Sequence, residues 1–181
     1  AYSVADAVVF GNLLISLLRH ADRVTSASLA QLVNVIAPIM TEPGGLSWRQ
    51  TTFFPFALTS QLARGVALEL KLDTEHYSSA VYGDVAVIDG VATHDAATGN
   101  SAVFLVNRSQ TDEVIVTIDV SALDRADVIS AQTLSDTDVY AKNTLEHPDR
   151  VGLSSNNSVV TGEGTLTITL PPVSWTAIAL G

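Results

Sequence analysis

The chain contains no cysteine, which excludes disulfide frameworks, thiolate metal sites and cysteine nucleophiles and permits a reducing compartment. Positive charge is scarce: 9 lysines and arginines stand against 19 aspartates and glutamates, for a formal charge of -10 and a pI near 4.5. A surface of that sign repels phosphate backbones and anionic lipid, so no nucleic acid and no membrane is expected as a partner. Aromatic residues amount to 6%, and Tyr77, Tyr82, Tyr140 and Trp175 form no evident stacking platform. Long apolar runs are missing too. The most apolar stretch, Val8 to Leu18, contains Asn12 and Ser16 and falls short of the roughly 20 residues that cross a bilayer. It lacks a basic leader and a small-residue cleavage site, so it reads as a buried helix and not as a signal peptide.

What is present is unusually apolar. Hydrophobic residues make up 47% and charged residues 15%, with a mean hydropathy of +0.31, far from disordered composition. A chain of 181 residues can bury a core without covalent staples. The excess of apolar residues implies that something large covers part of it.

The first 65 residues differ in texture from the rest. Ser3 with Asp6 three positions on is a capping-box start. From there Asn12, Ser16, Arg19, His20 and Arg23 share one helical face, while Val8, Val9, Leu13, Leu14, Leu17 and Leu18 fill most of the remainder, so a helix is expected to about Ala21. Val24 to Ile36 is rich in small and branched apolar residues with no helical stripe, which predicts a strand apolar on both faces, as in a parallel sheet. After the Pro43-Gly44-Gly45 turn, Ser47 with Gln50 reads as a second capping box, Pro55 as a kink and Gly65 as a C-cap. A lone parallel strand between two helices has no sheet of its own to join. Residues 1–65 are therefore expected to be the end of a larger α/β domain.

From Val66 onward short β-type runs take over: Val66–Leu72, Val85–Val91, Ala102–Asn107, Val114–Val120, Val128–Leu134, Leu166–Leu170 and Trp175–Leu180. Turn clusters separate them, among them Asp89-Gly90, Thr98-Gly99-Asn100, Asn156-Asn157-Ser158 and Gly162-Glu163-Gly164. The spacing predicts an antiparallel β-sandwich over residues 66–181. Strict alternation of Val114, Val116, Ile118 and Val120 with Ile115, Thr117 and Asp119 predicts one buried and one mixed face. The N-x-S sequons at Asn107 and Asn156 read as chance occurrences.

The run from Ser26 to Glu42, with Ala30-Gln31-Leu32-Val33-Asn34-Val35-Ile36-Ala37-Pro38-Ile39 at its centre, resembles the last barrel strand and following loop of the α-L-arabinofuranosidases of glycoside hydrolase family 51. Upstream, Asp6-Ala7 and Leu17 to Val24 resemble that family's penultimate barrel helix. Downstream, Trp48-Arg49-Gln50-Thr51, Phe54-Pro55-Phe56 and Arg64-Gly65 resemble its final helix. The sandwich half is similar more loosely, through Val106-Asn107-Arg108 and the Trp175 strand. Ser28 stands where several family members carry cysteine.

The resemblance implies an α+β chain: the last helix-strand-helix of a (β/α)8 TIM barrel over residues 1–65, then a jelly-roll-like antiparallel β-sandwich over residues 66–181. It also implies a retaining exo-glycosidase that removes terminal α-L-arabinofuranosyl groups from arabinan, arabinoxylan and related oligosaccharides. Such chemistry needs a carboxylic acid to protonate the leaving oxygen and a carboxylate roughly 5 Å away to attack the anomeric carbon. In the family both are glutamates on earlier barrel strands, so no catalytic residue is expected within this chain.

Gln31 is the expected substrate-binding residue. An amide amid apolar residues must find partners or cost about 1–3 kcal/mol, and the matching family glutamine contacts the arabinofuranosyl unit, so Gln31 would hydrogen-bond a sugar hydroxyl or the exocyclic oxygen. A brace within the barrel is the plain alternative. Asn34 reads as structural, Glu42 as a cap or brace of its loop, Trp48 as core more than sugar wall, and His20 as a partner of the last helical carbonyls. Glu69, Glu75, Glu113, Glu146 and Glu163 read as solvated charge. His76, His94 and His147 have no metal-ligand spacing, and no metal or cofactor is expected.

The expected partners are an arabinofuranosyl oligosaccharide, the remaining N-terminal part of the same enzyme and, as in the family, further copies in a homo-oligomer; the expected location is cytoplasmic. Two other readings stay open. One is a non-catalytic carbohydrate-binding or assembly module built on the sandwich, and the other is a barrel glycosidase of a related clan acting on another sugar.

Overall fold

The computed structural model describes residues 1–181. Helix α1 spans Val4–Arg19, and both limbs of the expected capping box are made: the Ser3 side chain accepts from the Asp6 N–H, and the Asp6 side chain accepts from the Ser3 N–H at 2.8 Å. The helix ends at His20, one residue before the expected boundary.

The expected strand over Val24 to Ile36 is not formed. A strand in a parallel sheet exists through hydrogen bonds to flanking strands, and no strand of this chain pairs with the segment. The backbone instead turns left-handed at Gln31, Asn34 and Val35, with φ of 61°, 63° and 53°. The second capping box is also absent. Ser47 belongs to β2 (Ser47–Arg49), which pairs antiparallel with β1 (Ile39–Thr41) across the Pro43-Gly44-Gly45 turn. Helix α2 starts later and is shorter, Phe53–Leu62, capped at Ala63. Pro55 therefore sits in its first turn, where the missing N–H has no intrahelical partner to lose, and it introduces no kink.

The β strands are β3 (Val66–Leu68), β4 (His76–Ser79), β5 (Gly83–Ala86), β6 (Ile88–Asp95), β7 (Asn100–Asn107), β8 (Val114–Asp119), β9 (Val128–Leu134), β10 (Ser154–Ser155), β11 (Val160–Gly162), β12 (Thr165–Leu170) and β13 (Ser174–Leu180). Every pairing is antiparallel. A six-stranded sheet has the order β10-β9-β13-β7-β6-β3, and a three-stranded sheet the order β11-β12-β8; β4 and β5 form a separate hairpin. The strands expected from Val66 onward are all present in part or whole, and the two sheets pack face to face as a sandwich. Asp89-Gly90, expected as a turn, lies inside β6 and is buried. A Cβ on Gly90 would stand 2.7 Å from the Leu105 side chain, so glycine is present there for close strand packing.

Two cores follow from the alternation of side chains along β7 and β13. Val103, Leu105, Ile178 and Leu180 face the three-stranded sheet and pack with Leu166, Ile168 and Leu170, against which Val114, Val116 and Ile118 also lie. Ala102, Phe104, Val106, Trp175 and Ala177 face the other way and meet Val4, Ala7, Val8 and Ile15 of α1, with Phe54 and Leu58 of α2 alongside. The molecule is thus layered as helices, large sheet, small sheet. At the centre of the helix side, Trp175 is wholly buried and stacks on Phe104 with ring centroids 6.2 Å apart. Gly11 of α1 rides directly on the indole: a Cβ there would lie 2.3 Å from Trp175 Cδ1.

Candidate functional site

Gln31 is exposed, in the connection that leaves α1 and returns to β1. Its loop is held from one side. The Asn34 amide bonds Thr41 twice, accepting from the Thr41 N–H and donating to Thr41 Oγ1, each at 2.8 Å. The Asn34 N–H donates to the Ile39 carbonyl and the Ala37 N–H to the Asn34 carbonyl, also at 2.8 Å. Tyr2 donates its hydroxyl proton to the Ile36 carbonyl at 3.0 Å. Gln50, 1% exposed, donates from Nε2 to the Ala37 carbonyl at 2.6 Å and accepts the Tyr2 N–H on Oε1 at 3.0 Å. Its own N–H reaches the Pro38 carbonyl at 2.8 Å. A left-handed Val35 is costly for a β-branched residue. These contacts over-determine the backbone around it, from Asn34 to Thr41, just downstream of the exposed Gln31.

The other candidate residues are spread over the fold. Glu42 is exposed and closes the β1–β2 turn through its backbone, which donates to the Leu46 carbonyl and accepts from the Gly45 N–H. Trp48 lies on β2, half-buried, and not on a helix; with Ile39, Leu46, Leu145 and Pro148 it lines a cleft of about 430 Å³. The His20 ring faces the Arg23 guanidinium, 3.0 Å away, while the backbone N–H of His20 reaches the carbonyls of Leu17 and Leu18. Glu69, Glu75, Glu113, Glu146 and Glu163 are all exposed. No three histidines or carboxylates gather where they could hold a metal ion. Around Gln31, then, the chain offers hydrogen-bonding groups on a braced loop but no pair of carboxylates. Asn107 is wholly buried and its amide donates to three backbone carbonyls, so that sequon is closed to modification.

A second polar cluster joins α1 to β6 and has no contiguous motif in the sequence. Asp89 on β6 accepts from Asn12 Nδ2 and from Arg108 Nη2, each at 2.7 Å, and pairs with Arg19. Arg108 also donates to Asn12 Oδ1 and to the Ala86 carbonyl, and Arg19 to the Gly90 carbonyl. Burial pushes the Asp89 carboxyl up, but hydrogen bonds from Asn12 and Arg19 and the charges of Arg108 and Arg19 outweigh it and hold the group below its ordinary value. The cluster clamps α1 onto the large sheet. Its signal in the sequence was Asn12 and Arg19 seven residues apart on a helix that must pack, but their partners lie 77 and 70 residues away.

Residues 1–174 match the model of the α-L-arabinofuranosidase C-terminal domain. The chain is 52% identical over 180 residues to an exo-α-(1→6)-L-arabinofuranosidase of Bifidobacterium longum, covering 98% of this chain and 34% of that protein. It is 49% identical to an intracellular exo-α-(1→5)-L-arabinofuranosidase of Streptomyces lividans, covering 98% of this chain and 27% of that one. A solved family 51 α-L-arabinofuranosidase from Bifidobacterium longum superposes with a TM-score of 0.95 at 44% identity, over 99% of this chain and 35% of that one. The chain thus spans about a third of the length of the relatives it matches.

Proposed function

The chain belongs to the α-L-arabinofuranosidase C-terminal domain family, and on that premise we propose that it is the C-terminal portion of a retaining, exo-acting α-L-arabinofuranosidase. The complete enzyme removes terminal non-reducing α-L-arabinofuranosyl groups from arabinan, arabinoxylan and arabino-oligosaccharides. The observation that carries this reading is the identity of 52% across 98% of the chain with a protein so named. Residues 1–65 serve as the C-terminal end of the (β/α)8 catalytic barrel, and residues 66–181 as the β domain behind it. Val9, Leu13 and Leu17 of α1 and Leu32, Val33, Val35 and Ile36 of the following loop are exposed. Burying a side chain of this size contributes about 1.5–3 kcal/mol, which suits a surface covered by the rest of the barrel.

Retention of configuration needs a general acid and a nucleophilic carboxylate roughly 5 Å apart. Both are glutamates of the remaining part of the enzyme, and that two-carboxylate mechanism calls for no metal or cofactor. Gln31 binds the arabinofuranosyl unit beside the scissile bond through a hydroxyl or the exocyclic oxygen; its exposed amide on a braced loop supports that role. The enzyme works in the cytoplasm, a reading that rests on the word intracellular in several relatives' names. It assembles as a homo-oligomer.

The test is hydrolysis of an aryl α-L-arabinofuranoside by the chain alone and by the complete enzyme. The chain alone is expected to be inactive, and Gln31→Ala in the complete enzyme is expected to lower kcat/KM severalfold or more. Turnover by the isolated chain overturns the assignment of the carboxylates, and an unchanged kcat/KM overturns the role of Gln31.

A further inference from the structure

We infer that Gln50 is a positioning residue for the sugar-binding loop: its buried amide fixes the backbone that presents Gln31, and it acts on catalysis only through that loop. The inference rests on the reading of Gln31 given above. Gln50 is 1% exposed and is itself out of reach of any substrate. Its two amide bonds point at different parts of the fold. Oε1 receives the Tyr2 N–H, just before α1, whereas Nε2 donates to the Ala37 carbonyl at the foot of the loop. From Ala37 the connection continues through its N–H to the Asn34 carbonyl and through the Asn34 side chain to Thr41. The neighbouring Ile36 carbonyl is held by Tyr2, whose backbone is in turn held by Gln50. Removing the Gln50 amide therefore leaves the Ala37 carbonyl unpaired at a residue that is wholly buried. It also loosens a stretch whose backbone lies in the left-handed region at Asn34 and Val35. A binding group displaced by about 1 Å can lose on the order of a hundredfold in rate, so a loop carrying Gln31 is sensitive to such a release.

The experiment is a double-mutant cycle in the complete enzyme with an aryl α-L-arabinofuranoside as substrate. Gln50→Met keeps the shape and removes both bonds. It is expected to lower kcat/KM about tenfold alone and to add nothing to Gln31→Ala, because a positioning residue has no effect once the group it positions is gone. Gln50→Glu separates the two bonds. The ionised carboxylate still accepts from Tyr2 but cannot donate to Ala37, whereas the protonated form does both. Burial raises such a carboxyl, so the ratio of its kcat/KM to that of the native enzyme is expected to climb as pH falls, at a temperature where thermal scans show each protein folded. A loss from fold damage alone would be independent of Gln31 and would add to Gln31→Ala. Full additivity, or a folded Gln50→Met enzyme with native kcat/KM, overturns the inference. If Gln31→Ala itself is silent, the sugar-binding reading fails instead, and the two failures are told apart by that single variant.

Discussion

Replacing Gly11 by alanine puts a methyl group where the indole of Trp175 already stands. The added Cβ would lie 2.3 Å from Cδ1, 2.7 Å from Nε1 and 2.8 Å from Cγ of that ring, against a comfortable carbon contact of about 3.5–4.0 Å. Neither partner has room to yield. Trp175 is wholly buried and stacked on Phe104, and α1 is fastened one residue further on by the hydrogen bond from Asn12 to Asp89. Intrinsic helix propensity favours alanine over glycine by about 1 kcal/mol, while overpacking of a well-filled core costs about 1–3 kcal/mol or more. A clash on three ring atoms belongs at the upper end of that range, so the net loss is about 2 kcal/mol. For a domain of this length 1 kcal/mol moves Tm by about 2–4 °C, which gives a fall of about 4–8 °C. Urea unfolding of the chain followed by tryptophan fluorescence reports on it directly, since Trp175 is one of only 2 tryptophans. A lower midpoint at unchanged m is the expected result. A midpoint raised above that of the native protein would mean that propensity alone governs the site and that α1 does not rest on the indole.

Two further outcomes concern the clamp at Asp89. Asp89→Asn leaves the guanidinium groups of Arg19 and Arg108 without their counter-charge; breaking a fully buried pair costs about 3–5 kcal/mol, and because the Arg19 side chain is 44% exposed a smaller loss of about 2 kcal/mol is expected in urea titration. Acid should act on the same group. The carboxyls of Asp89 and Asp136 are held below their ordinary values, the latter chiefly by the hydrogen bond from Arg150, so their contribution is intact above the ordinary aspartate pKa of about 3.9 and fades as pH falls through the lower folded values. Urea midpoints measured from pH 7 down to 2 should stay level and then drop below about pH 4, with a shallower drop for Asp89→Asn; equal acid slopes in the two proteins would refute the assignment to Asp89.

Much of the architecture is written in local patterns. The capping box of Ser3 and Asp6 works within one turn of helix, and the alternation along Val114–Asp119 depends only on the two-residue period of a strand. Both could be read without knowing what lies across from them. The motifs around Gln31 also identified the family, because they are contiguous in sequence and specific in order. The second helix departs from its local pattern for the converse reason. Ser47 and Gln50 have the spacing of a cap, but strand pairing with Ile39–Thr41 and burial of the Gln50 amide against Ala37 offered those residues more partners than a helix terminus would. Asp89-Gly90 failed likewise: the pair favours turns, yet here the glycine admits the Leu105 side chain and the aspartate is claimed by side chains from α1 and from the residue after β7.

The sequence by itself determined the antiparallel β-sheet part of the fold, the family and the presence of a polar residue, Gln31, in an apolar run. Only the tertiary structure decided which polar groups are buried together. Asn12, Arg19, Asp89 and Arg108 come from three distant stretches of chain, and Gln50 meets Tyr2 across 48 residues. Local propensity carries no information about such partners. Their positions follow from how α1 packs on the large sheet and how the segment after β2 returns to Tyr2, where an unpaired amide or charge would be costly enough to fix the register of everything around it.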